Sequence, residues 1–322
     1  MSCQNFASTS EGTLAYGVQS ACGTPQTTLK ALRFVSETLN STAASTQSNE
    51  IRVNRNVADL VRTSTSVGGQ VNVEWSYEVY DDFIQGVLQA ASALDGASTE
   101  IKNASTKKYF TLEKNTPLAD GTGEFTVYSD MQVGAMTMNI AQGAIVTGDF
   151  TFMGSTEPTN SSTSIDIVGG YTAAPTFPVY NSLADVSAVL IDGSSAGNVE
   201  SVNFTVTNNL REQRAIGNVA PAGVASGLIA VTGTIKLYFA SNALYTKFLA
   251  DQTFTLSVTL DDKTGATNGN QYTMRFPKCK FSNVTKNITG NNADVLLEGG
   301  FQALLDGTLA ATIGIKSKDA VA

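Results

Sequence analysis

The chain of 322 residues contains no histidine. That removes the commonest general base, the commonest metal ligand, and the Ser-His-Asp and Cys-His arrangements of nucleophilic catalysis. Cysteine is nearly absent: Cys3, Cys22 and Cys279 are far apart and form no C-x-x-C pair. Neither a zinc site nor a disulfide framework is suggested; Cys3 and Cys22 can pair in an oxidising setting, and the other reading is free buried thiols. Basic residues are outnumbered, 20 against 28 acidic ones, for a net charge of −8. No Lys/Arg cluster has the density of a nucleic-acid footprint, and an acidic surface repels phosphate backbones. No apolar run approaches the length of a membrane helix. Met1 to Thr13 has no apolar segment of the secretory kind, and Lys318 to Ala322 is not the closing aromatic strand of an outer-membrane barrel. The expectation is a soluble protein made in a cytoplasm.

Proline numbers only 7, while Gly, Ser, Thr, Asn and Val are abundant. This is the composition of a strand-rich chain with many tight turns. In Val67–Tyr77, Val71, Val73, Trp75 and Tyr77 fall on one face, the alternation of a half-buried strand. The period then changes: Phe83, Ile84, Val87 and Leu88 form one stripe of a short helix expected over about 80–92, with Asp81 and Asp82 in its first turn, where carboxylates suit the helix dipole. Ahead of the strand lies a charged segment, Asn49–Arg62, within a long loop expected over 40–65.

The same succession recurs. Val202–Val206 resembles the strand at Leu32–Val35, and Asn208–Arg214 stands where the charged loop stood but is shorter. Ala230–Phe239 alternates, and a helix is expected over about 242–249 with Ser241 as its N-cap. Tyr109–Glu113 has its counterpart in Thr253–Ser257, Phe125–Tyr128 in Tyr272–Phe276, and Ala144–Met153 in Ala293–Ala303. An ordered match of this many elements indicates an internal duplication. The chain divides into an arm at 1–28, a first domain at 29–154, a Pro/Gly/Ser-rich linker at 155–197 holding one strand at Ser187–Gly193, a second domain at 198–305, and an apolar extension at 306–322 docked on the rest. Within the first domain, 29–39 reads as a strand, 40–48 as a run with no reason to fold alone, 95–106 as a polar connection, and Asp120–Gly123 as a hairpin turn between strands. The alternative is one large β-sandwich without repeats.

Candidate chemistry is sparse. Gly193-Ser194-Ser195-Ala196-Gly197 fits G-x-S-x-G, but no histidine exists to activate Ser195 and no helix pattern follows, so it reads as a linker turn. Asp81 and Asp82 read as dipole partners before they read as a catalytic pair. Asp261–Gly265 lacks the spacing and distal Glu of an EF-hand. Phosphate-loop and dinucleotide fingerprints are missing. No catalytic, cofactor-binding or metal residue is assigned, and an enzyme is not expected.

Leu32-Arg33-Phe34, Ser48–Arg52, Asp59-Leu60-Val61, the Val67–Tyr77 strand and Tyr80-Asp81-Asp82-Phe83 together resemble the major tail tube proteins of long-tailed bacteriophages, in the form with two tandem tube domains. The resemblance covers most of the chain and is most specific over Asn49–Leu88. It implies a mainly β protein of two tandem tail-tube-like β-sandwich or half-barrel domains, each with one short flanking helix. It implies a structural virion protein whose rings stack into a channel for DNA passage. Rings would be homotrimers with pseudo-sixfold symmetry, or homohexamers. The implied partners are copies of itself, tape-measure and tail-terminator proteins, and DNA as non-specific cargo, with no membrane binding, no cofactor and a place in the virion tail. Glu50, Ile51, Arg52, Arg55, Asp59, Leu60 and Arg62 are the expected ring-stacking contacts, their charges fixing register more than adding affinity. The shorter Asn208–Arg214 loop would make the two halves unequal there. The rival readings are a β-sandwich decoration or adhesin domain, and a hydrolase using Asp81 or Asp82.

Overall fold

A computed structural model describes residues 8–54, 56–120, 122–265, 269–288 and 290–320. It is mainly β and antiparallel. Along the first half run β1 (Thr13–Gln19), β2 (Lys30–Ala31), β3 (Ser36–Glu37), β4 (Asn40–Gln47), β5 (Leu60–Glu74), α1 (Asp81–Leu88), β6 (Ala97–Lys102), β7 (Tyr109–Pro117), β8 (Gly123–Ala141), β9 (Thr147–Gly154) and β10 (Thr159–Ser161). The second half carries β11 (Val186–Ile191), β12 (Ser194–Ser195), β13 (Val199–Thr207), β14 (Arg211–Gln213), β15 (Gly223–Ala225), β16 (Ala230–Tyr238), α2 (Ala243–Leu249), β17 (Phe254–Asp261), β18 (Gln271–Lys286), β19 (Leu296–Ala303) and β20 (Gly314–Lys318).

Two pairing orders each occur twice. One sheet runs β4-β5-β9-β8 and continues without a break into β13-β16-β19-β18. Packed against it are β1-β7-β8-β10 and β11-β17-β18-β20. The long strands β8 and β18 belong to both layers. Each begins in the outer layer and bends into the inner one, with a register shift at Val133/Ala135 in β8 and at Phe281/Asn283 in β18. An extra residue on one strand bends it and strengthens its twist.

The alternation of β5 sets the core. Val67, Val71 and Val73 are buried, while Gln70, Asn72 and Glu74 take the other face. On β9, Phe150 and Phe152 point the same way as those valines, and α1 fills the space beneath. Phe83, fully buried, has ring contacts at 4.6 Å with Tyr16, 5.2 Å with Phe110 and Phe152, and 5.4 Å with Phe150. A Cβ on Gly86 would come within 2.9 Å of the Phe110 ring, so glycine lets α1 lie directly on β7 and β8. The helix stops at Gln89, whose left-handed φ of 47° returns its N–H to the last turn.

Several expectations require correction. The loop expected over 40–65 is a hairpin: β4 pairs with β5 along its length, and only 48–59 lie outside strands. A Ser/Thr/Ala run carries no burial signal, because both faces of β4 meet solvent over most of its length. The arm expected at 1–28 contains β1, paired to β7, while residues 1–7 fall outside those described. The polar connection at 95–106 holds β6, bound to β20. The strand expected at 29–39 is only β2 and β3, so Val202–Val206 corresponds in pairing to Glu37–Ser41 rather than to Leu32–Val35. The helix expected over 80–92 is Asp81–Leu88; that over 242–249 starts one residue later, with Asn242 rather than Ser241 at the cap position. The connection after β13 is longer than the one after β4, not shorter. It spans 208–229, and β14 and β15 pair within it.

Residues 155–197 are strapped down rather than free. Ser164 Oγ and the Ile165 N–H donate to buried Glu113, and Asp166 Oδ2 accepts the Leu29 N–H at 2.8 Å. The Gly193-Ser194-Ser195 segment is a tight turn: Asp192 and Gly193 have φ of 51° and 74°, joining β11 to β12. In the apolar 309–315 segment Ala311, Ile313 and Ile315 are buried, and β20 lies between β18 and β6.

Replacing Phe83 with alanine removes the ring shared by both layers of the first half. The expected loss is about 3–5 kcal/mol of stability, measured by chemical denaturation, with no change in β content at low denaturant.

Candidate assembly surfaces

The inner sheet presents eight strands whose second face is solvent-facing and polar. On β5 it carries Gln70, Asn72 and Glu74; on β9, Thr147, Asp149 and Thr151; on β8, Thr137 and Asn139. It continues with Asn203 and Thr205 on β13, Thr232, Thr234 and Lys236 on β16, and Glu298 and Gln302 on β19. Most of these side chains are uncharged. The acids Glu74, Asp149 and Glu298 outnumber Lys236, which is tied to Glu200 at 3.1 Å. Asp149 accepts a short hydrogen bond from the Thr137 hydroxyl. Hydroxyls and amides satisfied by one another or by water leave a wall with little attraction for phosphate.

Both margins of this sheet are open. Among the described residues, β4 pairs at one side with β5 alone, and at the other the β18 segment from Lys280 onward pairs with β19 alone. Such margins are a template for a further strand, although at Leu39 the outward N–H goes to the Glu37 carboxylate and the carbonyl accepts from Lys114 and Tyr128. Beyond β18, Ile288 is 88 % exposed. A longer apolar spacing at Val284 and Ile288 was the available signal for this edge.

The expected ring-stacking residues gather at the β4–β5 hairpin end. Ile51 is almost wholly exposed, with Val53 and Val57 beside it; Leu60 is also exposed at the start of β5. Arg52 pairs with Glu50 at 2.8 Å, and Arg62 reaches Glu157 at 2.5 Å rather than a loop partner. Asp59 closes the loop base, its carbonyl accepting the Ser48 N–H at 2.9 Å. Arg55 lies outside the described residues. Among the described residues, Ile51, Val53, Val57 and Leu60 expose apolar side chains at this hairpin end that no other side chain covers.

Asp81 and Asp82 take structural partners. Asp82 accepts from Tyr16 Oη and Lys30 Nζ, both at 3.0 Å. Asp81 accepts a short hydrogen bond from Tyr272 Oη, which itself accepts the Glu78 N–H at 2.9 Å. Tyr272 is fully buried between Tyr77 and Tyr180, so this cluster joins the two halves. Burial pushes the Asp81 carboxyl up from 3.8 to about 7, against the opposing pull of the Tyr272 hydroxyl. At Asp261, the N–H groups of Lys263 and Gly269 occupy Oδ1 and Gln271 occupies Oδ2. Among the described residues, no cluster of acidic or thiol side chains is arranged to hold a metal, and no helix is long and apolar enough to cross a membrane.

An eight-stranded antiparallel sheet with one polar face, backed by its own core and without a catalytic cluster among the described residues, has the make-up of a structural β protein. The family model described as "Phage tail tube protein" matches residues 9–303, and the chain belongs to that family. It is a structural protein of the bacteriophage virion tail. No curated protein matches it significantly.

The folded state holds the Asp81 proton more tightly than the unfolded chain. Its contribution to stability is therefore fully present below about pH 3.8 and is lost as pH rises through about 7. Asp81→Asn should flatten that part of the stability–pH curve and raise the melting temperature at pH 8 relative to wild type. A wild-type curve that gains stability between pH 4 and 7, with the gain abolished in the variant, would contradict the assignment.

Proposed function

We propose that this chain is a doubled tube subunit: two tandem tube domains, three chains to a ring of pseudo-sixfold symmetry, and rings stacked into the channel through which DNA leaves the virion. The observation that carries this reading is the repeated four-strand order within one sheet, β4-β5-β9-β8 then β13-β16-β19-β18, open at both ends. Closing such a sheet on copies of itself removes its edges. The domains divide near residues 29–154 and 198–305, with β1 and β20 each lending an outer strand. The polar, mildly acidic face lines the bore, so that DNA passes as cargo without being held. The role is structural rather than catalytic: the chain lacks histidine, and Asp81 and Asp82 are engaged by tyrosines and a lysine. Tape-measure and tail-terminator proteins are the partners inside the bore and at its end.

Stacking falls to the hairpin tip, where Ile51 and Val53 expose apolar surface between the charges of Glu50, Arg52 and Asp59, with Leu60 and Arg62 at its base. The second connection, 208–229, is turned differently. Arg214 Nη2 donates to the Thr65 carbonyl at 3.1 Å, and the Val219 carbonyl accepts the Thr65 N–H at 2.9 Å, so this segment folds back on β5. One chain thus offers one free stacking tip.

Negative-stain microscopy of the purified protein should show stacked rings with a central channel; isolated globules at all concentrations would overturn the reading. The double variant I51D/V53D should leave single rings and lower tube yield by an order of magnitude or more, while tubes of wild-type length would remove the tip from the stacking contact.

A further inference from the structure

Resting on that reading, we infer that the seam between two chains is a copy of the seam inside one chain: the β18 margin of one copy adds antiparallel to β3–β4 of the next, with Ile288 opposite Glu37 and seated in the cleft beside it.

The internal seam supplies the template. There β8 meets β13 antiparallel, Ile140 lies opposite Val202 and Thr137 opposite Thr205. Ile140, only 5 % exposed, lines a narrow cleft together with Val186 and Val189 of β11 and Val199 of β13, and about 90 Å³ of it remains unfilled.

The bulges fix how the strands correspond. In β8 the unpaired residue is Gly134, between Val133 and Ala135; in β18 it is Ser282, between Phe281 and Asn283. Superposing the two places Thr285 on Thr137 and Ile288 on Ile140, each isoleucine standing six positions after its bulge. On the receiving side, Gly69 and Gly233 stand opposite Phe152 and Phe301 in equivalent ladders. From these glycines, Ser36 opposite Asn72 matches Ser201 opposite Lys236, and Asn40 opposite Gly68 matches Thr205 opposite Thr232. Both ends of the segment agree without a slip. Transferring the internal register therefore pairs Glu37 with Ile288, Leu39 with Lys286, Asn40 with Thr285 and Ser41 with Val284.

At the centre of this pairing Leu39 exchanges its present partners, the Glu37 carboxylate on its N–H and the Lys114 and Tyr128 side chains on its carbonyl, for the incoming strand; the surfaces on either side fit it. Val35, matching Glu200 of the internal cleft, is 61 % exposed and helps line an open cleft of about 600 Å³ with Phe34, Glu37, Lys114 and Pro117. The internal cleft has an isoleucine in its wall at the corresponding place; no described residue takes that place here, where Thr9 and Ser10 lie at the cleft's border. Ile288 is the matching knob, and 88 % of it faces solvent in the isolated chain. Glu37 replaces Val202 at the cleft, but its carboxylate is turned to Lys114 at 3.3 Å, leaving its methylenes for the incoming side chain. A second copy is thus the occupant that both margins specify. A one-residue slip would turn Ile288 to the opposite face, away from the cleft.

Crosslinking of the full chain tests the register. In a background with Cys3 and Cys22 changed to serine, N40C/T285C should give covalent trimers under mild oxidation, and N40C/N287C, two positions out of register, should not. Efficient crosslinking of the shifted pair overturns the register. Rings seen by microscopy with neither pair crosslinking overturn the copied seam while leaving ring formation standing; absence of both rings and crosslinks overturns the two together. I288D should run as a monomer in light scattering with an unchanged melting temperature, since that side chain is exposed in the isolated chain. Rings formed by I288D at wild-type concentration would overturn the knob-and-cleft contact.

Discussion

Backbone pairing along β8 and β18 is what every other feature leans on. Each strand runs in the outer layer first and then crosses to the inner layer, so the two layers share hydrogen-bonded strands as well as a packed core. The crossing in β8 begins at Asp130, held at φ 55°, whose carboxylate takes the Gly23 N–H at 2.6 Å and the Thr156 hydroxyl at 2.6 Å. In β18 the corresponding bend includes Pro277, which cannot donate to a ladder. The inner half of β18 ends as a sheet margin after this bend, whereas the inner half of β8 is covered by β13, which joins the two halves into one sheet.

The two halves share this frame but not their detail. Phe83, Ile84, Val87 and Leu88 bury α1 in the first core, whereas α2 has no fully buried residue and rests by Tyr245 and Phe248 at the rim of the second. The second core closes instead through Phe276, which touches Phe204 at 5.1 Å and Phe301 at 5.8 Å. Connections differ as well: the first hairpin tip projects, and the second connection lies back over β5. In the proposed ring this makes alternate positions inequivalent, which identical single-domain subunits could not achieve.

Much of the architecture was legible because burial leaves a period in the sequence. The alternation in β5, β9 and β16 and the helical stripe of α1 all follow from one face meeting the core; β16 falls within a residue of its expected span, while β5 begins earlier than its alternation, at Leu60, and α1 ends at Leu88 rather than near 92. Elements without a buried face were not legible. β4 is exposed, β6 is short and polar, and β1 is buried on both faces, so none shows a simple alternation. The proposed stacking tip was visible through its charges, while the edge segments Asn40–Gln47 and Lys280–Ile288 were not, since a strand paired on one side only looks like a loop in its own sequence.

Composition and periodicity by themselves determined a strand-rich chain without histidine chemistry, its repeated order of elements, and which residues of each long strand face the core. Those properties depend on side chains interacting with water or apolar neighbours a few positions away. Which strand lies beside which, where the bulges at Gly134 and Ser282 bend the ladders, and which margins stay unpaired were decided only in three dimensions. Backbone hydrogen bonds are the same for every residue type except proline, so the identity of a strand's neighbour is written in the packing of the whole fold and not in the strand itself.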